Sequence, residues 1–243
     1  MAVDESRSLA SSFASYAESL RGTVGLAYAP VGGGRVVTLG EWIDGVAWST
    51  SKVPLAIAAL RAAPVVAKSS VALAITRSDN AAAEQLWSML GPPAAAAAAV
   101  AGVLSEGGDT VTRVPSRRIR PEYTAFGQTE WSTTRQALFT AHLPCLEAGP
   151  DVLALMRTLD PEQQWGLARL PGAAVKGGWG PDEKGAHLVR QLGVIPNGAG
   201  WTAVVVGARP QSGTFADGIA LLDGLTEWVG GHLRQLPSGR CPR

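Results

Sequence analysis

Strand-like sequence lies only toward the two ends of this 243-residue chain, and residues 65 to 165 between them read as helix and loop. Near the start, Val24 to Tyr28 and Arg35 to Leu39 flank a turn carrying Gly32, Gly33 and Gly34, the signal of a hairpin. Near the end, Ala173 to Lys176, Leu188 to Ile195 and Trp201 to Ala208 are apolar and rich in β-branched residues, the last two joined by Pro196, Asn197, Gly198, Ala199 and Gly200. A helix-spaced set, Leu9, Phe13, Tyr16, Ala17 and Leu20, precedes the first strands, and residues 215 to 235 close the chain as a helix. This order predicts an α+β fold: a five-stranded antiparallel sheet completed by both chain ends, flanked by helices, with an all-helical block inserted in the middle. The expected division is an α/β sandwich lobe from residues 1–42 and 165–243, and a reduced helical lobe from 43–164.

Inside that block, Trp48 to Ala63 reads as a helix with Pro54 in its first turns, where a missing N–H is best tolerated. Ala81 to Leu90 is a second helix closed by Gly91, and Pro92, Pro93 and the alanines 94 to 99 open a third, expected to be buried. Residues 110 to 131 hold little periodicity and read as a long loop, a length that in compact domains often accompanies function.

Composition excludes several function classes. Lys+Arg 21 against Asp+Glu 20 leaves a formal net charge of +1, too little field for a charge-driven nucleic-acid binder. Cys145 and Cys241 form no Cys-x-x-Cys pair, and His142, His187 and His232 are far apart, so no metal site and no cofactor are expected. No apolar run is long enough to span a membrane, and Met1 to Arg7 lacks the apolar core of a signal peptide. An exported protein with its leader removed is expected, and a cytoplasmic one fits the same residues.

Three motifs carry chemistry. Ser49-Thr50-Ser51-Lys52 gives Ser-x-x-Lys at the start of a predicted helix, Ser78-Asp79-Asn80 follows, and Lys176-Gly177-Gly178 lies on a predicted strand. A serine hydroxyl is a weak nucleophile until a base takes its proton, and a lysine three positions later on a helix lies within reach of it. A helix N-terminus beside Ser49 would also favour a developing oxyanion. In isolation each motif has a blander origin, because Ser-Asp-Asn is also good capping and turn chemistry and a lone lysine is usually a solvated charge. Their order, each in the secondary structure its role needs, is the stronger signal.

In that order the motifs resemble the serine β-lactamase and penicillin-binding protein (D,D-peptidase) superfamily, class A β-lactamases in particular. Trp48 to Val53, Ala74 to Ala83 and Gly108 to Arg113 are similar to the nucleophile helix, the second motif with its flanks, and the approach to the Ω loop. The resemblance implies Ser49, Lys52, Ser78 and Lys176 as catalytic residues, and Asn80, Gly177, Gly178 and Trp179 as substrate-binding ones. Ser49 and Trp179 would supply the oxyanion amides. The implied substrates are small molecules or peptides, namely D-alanyl peptides or β-lactams, attacked at an amide or ester bond. A catalytically weak module that only binds wall peptides or β-lactams is the alternative, and a decayed structural protein a third. Exported relatives permit Cys145 and Cys241 to pair, and two free thiols are equally compatible with the sequence.

Two departures from the family bear on activity. Alignment of Pro121 and Glu122 puts Arg120 where the family keeps the glutamate that activates the deacylating water, so efficient β-lactamase turnover is not expected. Glu122 or Glu130 is the candidate replacement, and surface charge the plainer reading of both. Gly177 stands where the family has a Ser or Thr hydroxyl for the substrate carboxylate. The short stretch from Ser49 to Ser78 implies a trimmed helical lobe.

Overall fold

Leu9 and Phe13 draw the first helix, α1 (Ala2–Glu18), onto the sheet, where both side chains are buried. The computed structural model describes residues 2–42 and 44–242, so the lobe boundary expected at residue 43 falls on a position outside them. Strands β1 (Gly22–Pro30) and β2 (Val37–Gly40) form the first hairpin. β2 starts later than the sequence predicts: Gly32, Gly33 and Gly34 all take positive φ and lengthen the turn, leaving Gly25 to Tyr28 to pair with Val37 to Gly40. The other three strands are β3 (Ala174–Pro181), β4 (His187–Asn197) and β5 (Gly200–Pro210). All pairings are antiparallel in the order β2-β1-β5-β4-β3, so β1 and β5 join the two chain ends and β3 is an edge strand.

Six helices separate β2 from β3: α2 (Lys52–Ala62), α3 (Lys68–Thr76), α4 (Asn80–Met89), α5 (Pro93–Glu106), α6 (Thr133–His142) and α7 (Gly149–Met156). The last helix, α8 (Phe215–His232), covers the α1 face of the sheet through Leu222, Leu225 and Val229, packed with Val189, Val204 and Val206. The opposite face meets the helical block, where α2 is buried on all sides from Lys52 to Leu60, which is why it shows little amphipathic pattern. The alanine helix α5 differs from expectation: it buries Ala96, Ala97, Val100, Val103 and Leu104 while Ala94, Ala95 and Ala98 are exposed. Alanine tolerates both settings, so the run does not by itself reveal which face is inside.

Cys145 and Cys241 are joined in a disulfide with Cα atoms 5.4 Å apart. The Gly32 amide donates to Ala141 at the end of α6, and Gly239 of the tail pairs with Trp201 at the start of β5. Both cysteines are thereby carried to one corner. Among the described residues no single helix is long and apolar enough to cross a membrane.

The bridge spans 96 positions. Cys145→Ser is therefore expected to lower the unfolding free energy by about 4 to 5 kcal/mol in the chain-entropy account, read as a fall in the urea midpoint. Two free thiols in protein made under oxidising conditions would contradict the bridge.

Candidate active site

Trp48 has φ 49, in the left-handed region, and residues Trp48–Ser51 form a 3₁₀ turn before α2 begins at Lys52. The sequence predicts one continuous helix here. The tighter turn is held by side chains bonding back to the chain, Thr50 Oγ1 to the Ala47 carbonyl and Ser51 Oγ to the Trp48 carbonyl. Ser49 thus precedes the α-helix instead of opening it. Strand β3 runs hard against this turn: a Cβ on Gly178 would lie 2.8 Å from the amide nitrogens of Ser49 and Thr50 and from the Ala47 carbonyl oxygen. Only a glycine permits that approach.

Lys52 and Lys176 are buried, at 1% and 0% exposure, and not solvated charges. Ser78 lies between them. Lys176 Nζ donates to Ser78 Oγ (2.9 Å) and to the Gly177 carbonyl (2.8 Å), and Lys52 Nζ donates to Asn80 Oδ1 (2.8 Å), to the Ser78 carbonyl and, at 3.4 Å, to Ser78 Oγ. Ser78 itself has φ 59, a strained conformation for a residue with a side chain. Asp79 caps α4, accepting from the Ala82 amide at 2.7 Å, so the capping role of Ser-Asp-Asn falls to its middle residue. Burial lowers the Lys52 ammonium to about 7, with Asp79 pulling the other way. Burial and then the charge of Lys52 push Lys176 well below the usual lysine range.

Ser49, Lys52, Ser78, Asn80 and Trp179 line one cavity of about 440 Å³. Ser49 Oγ has no hydrogen-bond partner among the described residues, because the Lys52 ammonium is turned toward Ser78 and Asn80. Such contacts commonly tighten only when substrate is bound. No cluster of three or more His, Cys, Asp or Glu side chains among the described residues could hold a metal ion.

The loop after α5 forms the floor. Buried Asp109 accepts from the amides of Val111 and Thr112 and from Trp131 Nε1, and buried Gln128 accepts from the Arg120 amide while its Nε2 donates to carbonyls of Arg120, Tyr123 and Thr124. Arg120 turns away from Ser49, donating to the Pro181 carbonyl at 2.6 Å with its guanidinium over the Tyr123 ring. The two acidic candidates separate here. Glu122 lines the Ser49 cavity and pairs with Arg120, whereas Glu130 lines a neighbouring cavity with Arg120 and Asp182. A third carboxylate, Glu84, also lines the Ser49 cavity and pairs with Arg118 at 2.8 Å. The sequence reading missed it, although one helical turn after Asn80 on α4 is where a side chain shares that face.

Arg190 was missed as well. Wholly buried on β4, it donates to the carbonyls of Gly45, Val46 and Trp131 and to Gln136 Oε1, and Gln136 Nε2 donates to Thr50 Oγ1 inside the Ser49 turn. Its place within an apolar strand run concealed it.

No protein-family model matches the chain, and no curated protein matches it in sequence. Solved structures do match. The chain is similar to the TLA-3 extended-spectrum β-lactamase (16% identity, TM-score 0.74, covering 94% of this chain and 99% of that one). It is also similar to a β-lactamase from Sphaerobacter thermophilus (21%, TM-score 0.70, 96% and 99%) and a class A β-lactamase from Mycobacterium abscessus (19%, TM-score 0.71, 93% and 99%). The fold is therefore β-lactamase-like over nearly the whole chain.

Two outcomes are expected of this geometry. Labelling of Ser49 by a fluorophosphonate should rise with pH through about 7 as Lys52 loses its proton, and Lys52→Met should flatten that profile. Gly178→Ala, which forces β3 off the Ser49 turn, should slow labelling by about a hundredfold, the usual order for a lost oxyanion donor, with the circular dichroism spectrum retained.

Proposed function

We propose that the protein is an active-site serine hydrolase or acyl-transferase of β-lactamase or penicillin-binding type, acting on amide or ester bonds. The observation that carries this reading is the Ser78 hydroxyl held between two buried, low-pKa lysines, with Ser78 and Lys52 lining the cavity that contains Ser49 and Lys176 behind them. Neutral Lys52 takes the Ser49 proton as Oγ attacks the carbonyl carbon. The amides of Ser49 and Trp179 receive the oxyanion, and Asn80 orients the substrate amide. Ser78 then hands a proton to the departing nitrogen or oxygen, and takes one back from the lysine side, as the bond to that atom breaks and the Ser49 ester remains. Water or an amine releases the acyl group.

The floor loop supports slow release. Arg120 cannot act as a base, and the carboxylates on the cavity, Glu122 and Glu84, are each engaged by an arginine. D-alanyl peptides and β-lactams both present a carboxylate beside the scissile amide. They would be weakly held here, since Gly177 offers no hydroxyl to it and a hydrogen bond to a charged group is worth roughly 1.5 to 3 kcal/mol. The disulfide supports an exported location.

Incubation with a fluorophosphonate or a penicillin, followed by mass spectrometry, should give an adduct on Ser49 that Ser49→Ala abolishes. The penicillin ester should persist, with deacylation slower by about a hundredfold to ten-thousandfold than in an enzyme with a placed base. Rapid multiple turnover that Glu122→Gln abolishes would show that Glu122 positions the water after all.

A further inference from the structure

Along β3, Val175, Gly177 and Trp179 share the face opposite to Lys176 and Gly178. A Cβ on Gly177 would lie 2.7 and 2.8 Å from two ring carbons of Trp165, so that indole already occupies the room a Ser or Thr side chain would need. Trp165 packs edge-on to Trp179 (6.0 Å between centroids), Phe215 stacks on Trp179 (4.9 Å, 25° between planes), and His187 lies 6.2 Å from Phe215. Trp179 and His187 line the cavity beside Ser49 and Ser78.

This wall is built of aromatic rings, and Arg118, which also lines the cavity, is already paired with Glu84. His187 Nδ1 donates to the Gly213 carbonyl at 3.2 Å, so that nitrogen is already engaged. Trp165 Nε1 is buried without a hydrogen-bond partner. Lys176 is fully buried and already donates to Ser78 and Gly177. Ser78 would protonate the departing atom, and it sits against Lys176, the residue just before Gly177 on the same strand. The aromatic wall therefore borders the departing side of the scissile bond.

We infer that the wall of Trp179 and His187, backed by Phe215, binds a flat, uncharged, apolar group on the departing side, and that the preferred substrates are esters or amides without a carboxylate there. The inference rests on the acyl-enzyme reading of Ser49 for its chemistry, but binding alone can test it.

The matched probes are phenyl phenylacetate and its 3-carboxyphenyl counterpart, titrated by calorimetry into the non-reactive Ser49→Ala protein. The uncharged ester is expected to bind about tenfold tighter, because seating the other against the rings partly desolvates an unpaired carboxylate. Trp179→Phe on that background should keep the preference, and Trp179→Ala should reduce it to within about threefold. Equal or tighter binding of the carboxylated ester overturns the inference, as does a preference that survives Trp179→Ala. Failure of the wild-type protein to label at Ser49 would instead overturn the acyl-enzyme reading and leave the binding comparison to stand on its own.

Discussion

Arg190 rises from the middle of β4 into the space between the sheet and the helical block, wholly buried, and gathers the segments that build the site. Isolating a guanidinium from water costs several kcal/mol unless its donors are met. Here the Gly45 and Trp131 carbonyls at 2.8 Å, the Val46 carbonyl at 3.1 Å and Gln136 Oε1 at 2.7 Å accept from its two terminal nitrogens, with the Trp42 ring at 4.9 Å, while Nε is buried without a partner. Burial lowers its pKa to about 9, with Glu130 and Asp44 opposing, so it remains charged at neutral pH. A guanidinium offers five N–H donors in a fixed plane, where a lysine ammonium offers three on a flexible stem. Because Gln136 also bonds Thr50, the position of the Ser49 turn relative to the sheet is set through this one cation.

A second cationic problem is solved differently. Lys52 and Lys176 both reach Ser78 Oγ, and two ammonium groups converging on one hydroxyl in a buried setting repel each other. Dropping a proton relieves that repulsion and the desolvation together, which is the state in which an amine can act as a base. The strained backbone of Ser78 belongs to the same arrangement, since it turns both the carbonyl and the hydroxyl of one residue toward Lys52.

Much of this was legible in the residues. Strand signals at the two chain ends give the five-stranded sheet, because period and β-branching report a buried strand directly. Ser49, Lys52, Ser78, Asn80 and Trp179 converge on one cavity, with Lys176 behind Ser78, because ordered short motifs carry spacing and chemistry together. What escaped depends on tertiary contacts that no local pattern encodes. The 3₁₀ turn at Ser49 follows from the backbone of Trp48 and from Thr50 and Ser51 bonding backwards, the exposed face of α5 from what lies beside it, and the Cys145–Cys241 pairing from where the tail crosses the first hairpin. Arg190 and Glu84 lacked any motif. Trp165 lies outside all three, yet it explains Gly177.

That last relation bears on whether the departures from the family pattern are losses or alterations. A site drifting toward inactivity would leave a gap where a hydroxyl had been, and a void costs dispersion energy on every side of it. Gly177 has no gap: an indole fills its side-chain room, and further rings continue from it to the cavity rim. A threonine at 177 would collide with Trp165 unless that side chain moved, so the two positions are coupled. Arg120 is likewise tied to the Pro181 carbonyl and to Tyr123, and it links the floor loop to the end of β3. Both replacements are packed into a self-consistent wall beside an intact Ser49, Lys52, Ser78 and Lys176. The packing at Gly177 and Arg120 is thus consistent with its surroundings at every contact, as it must be for one well-ordered arrangement of this corner.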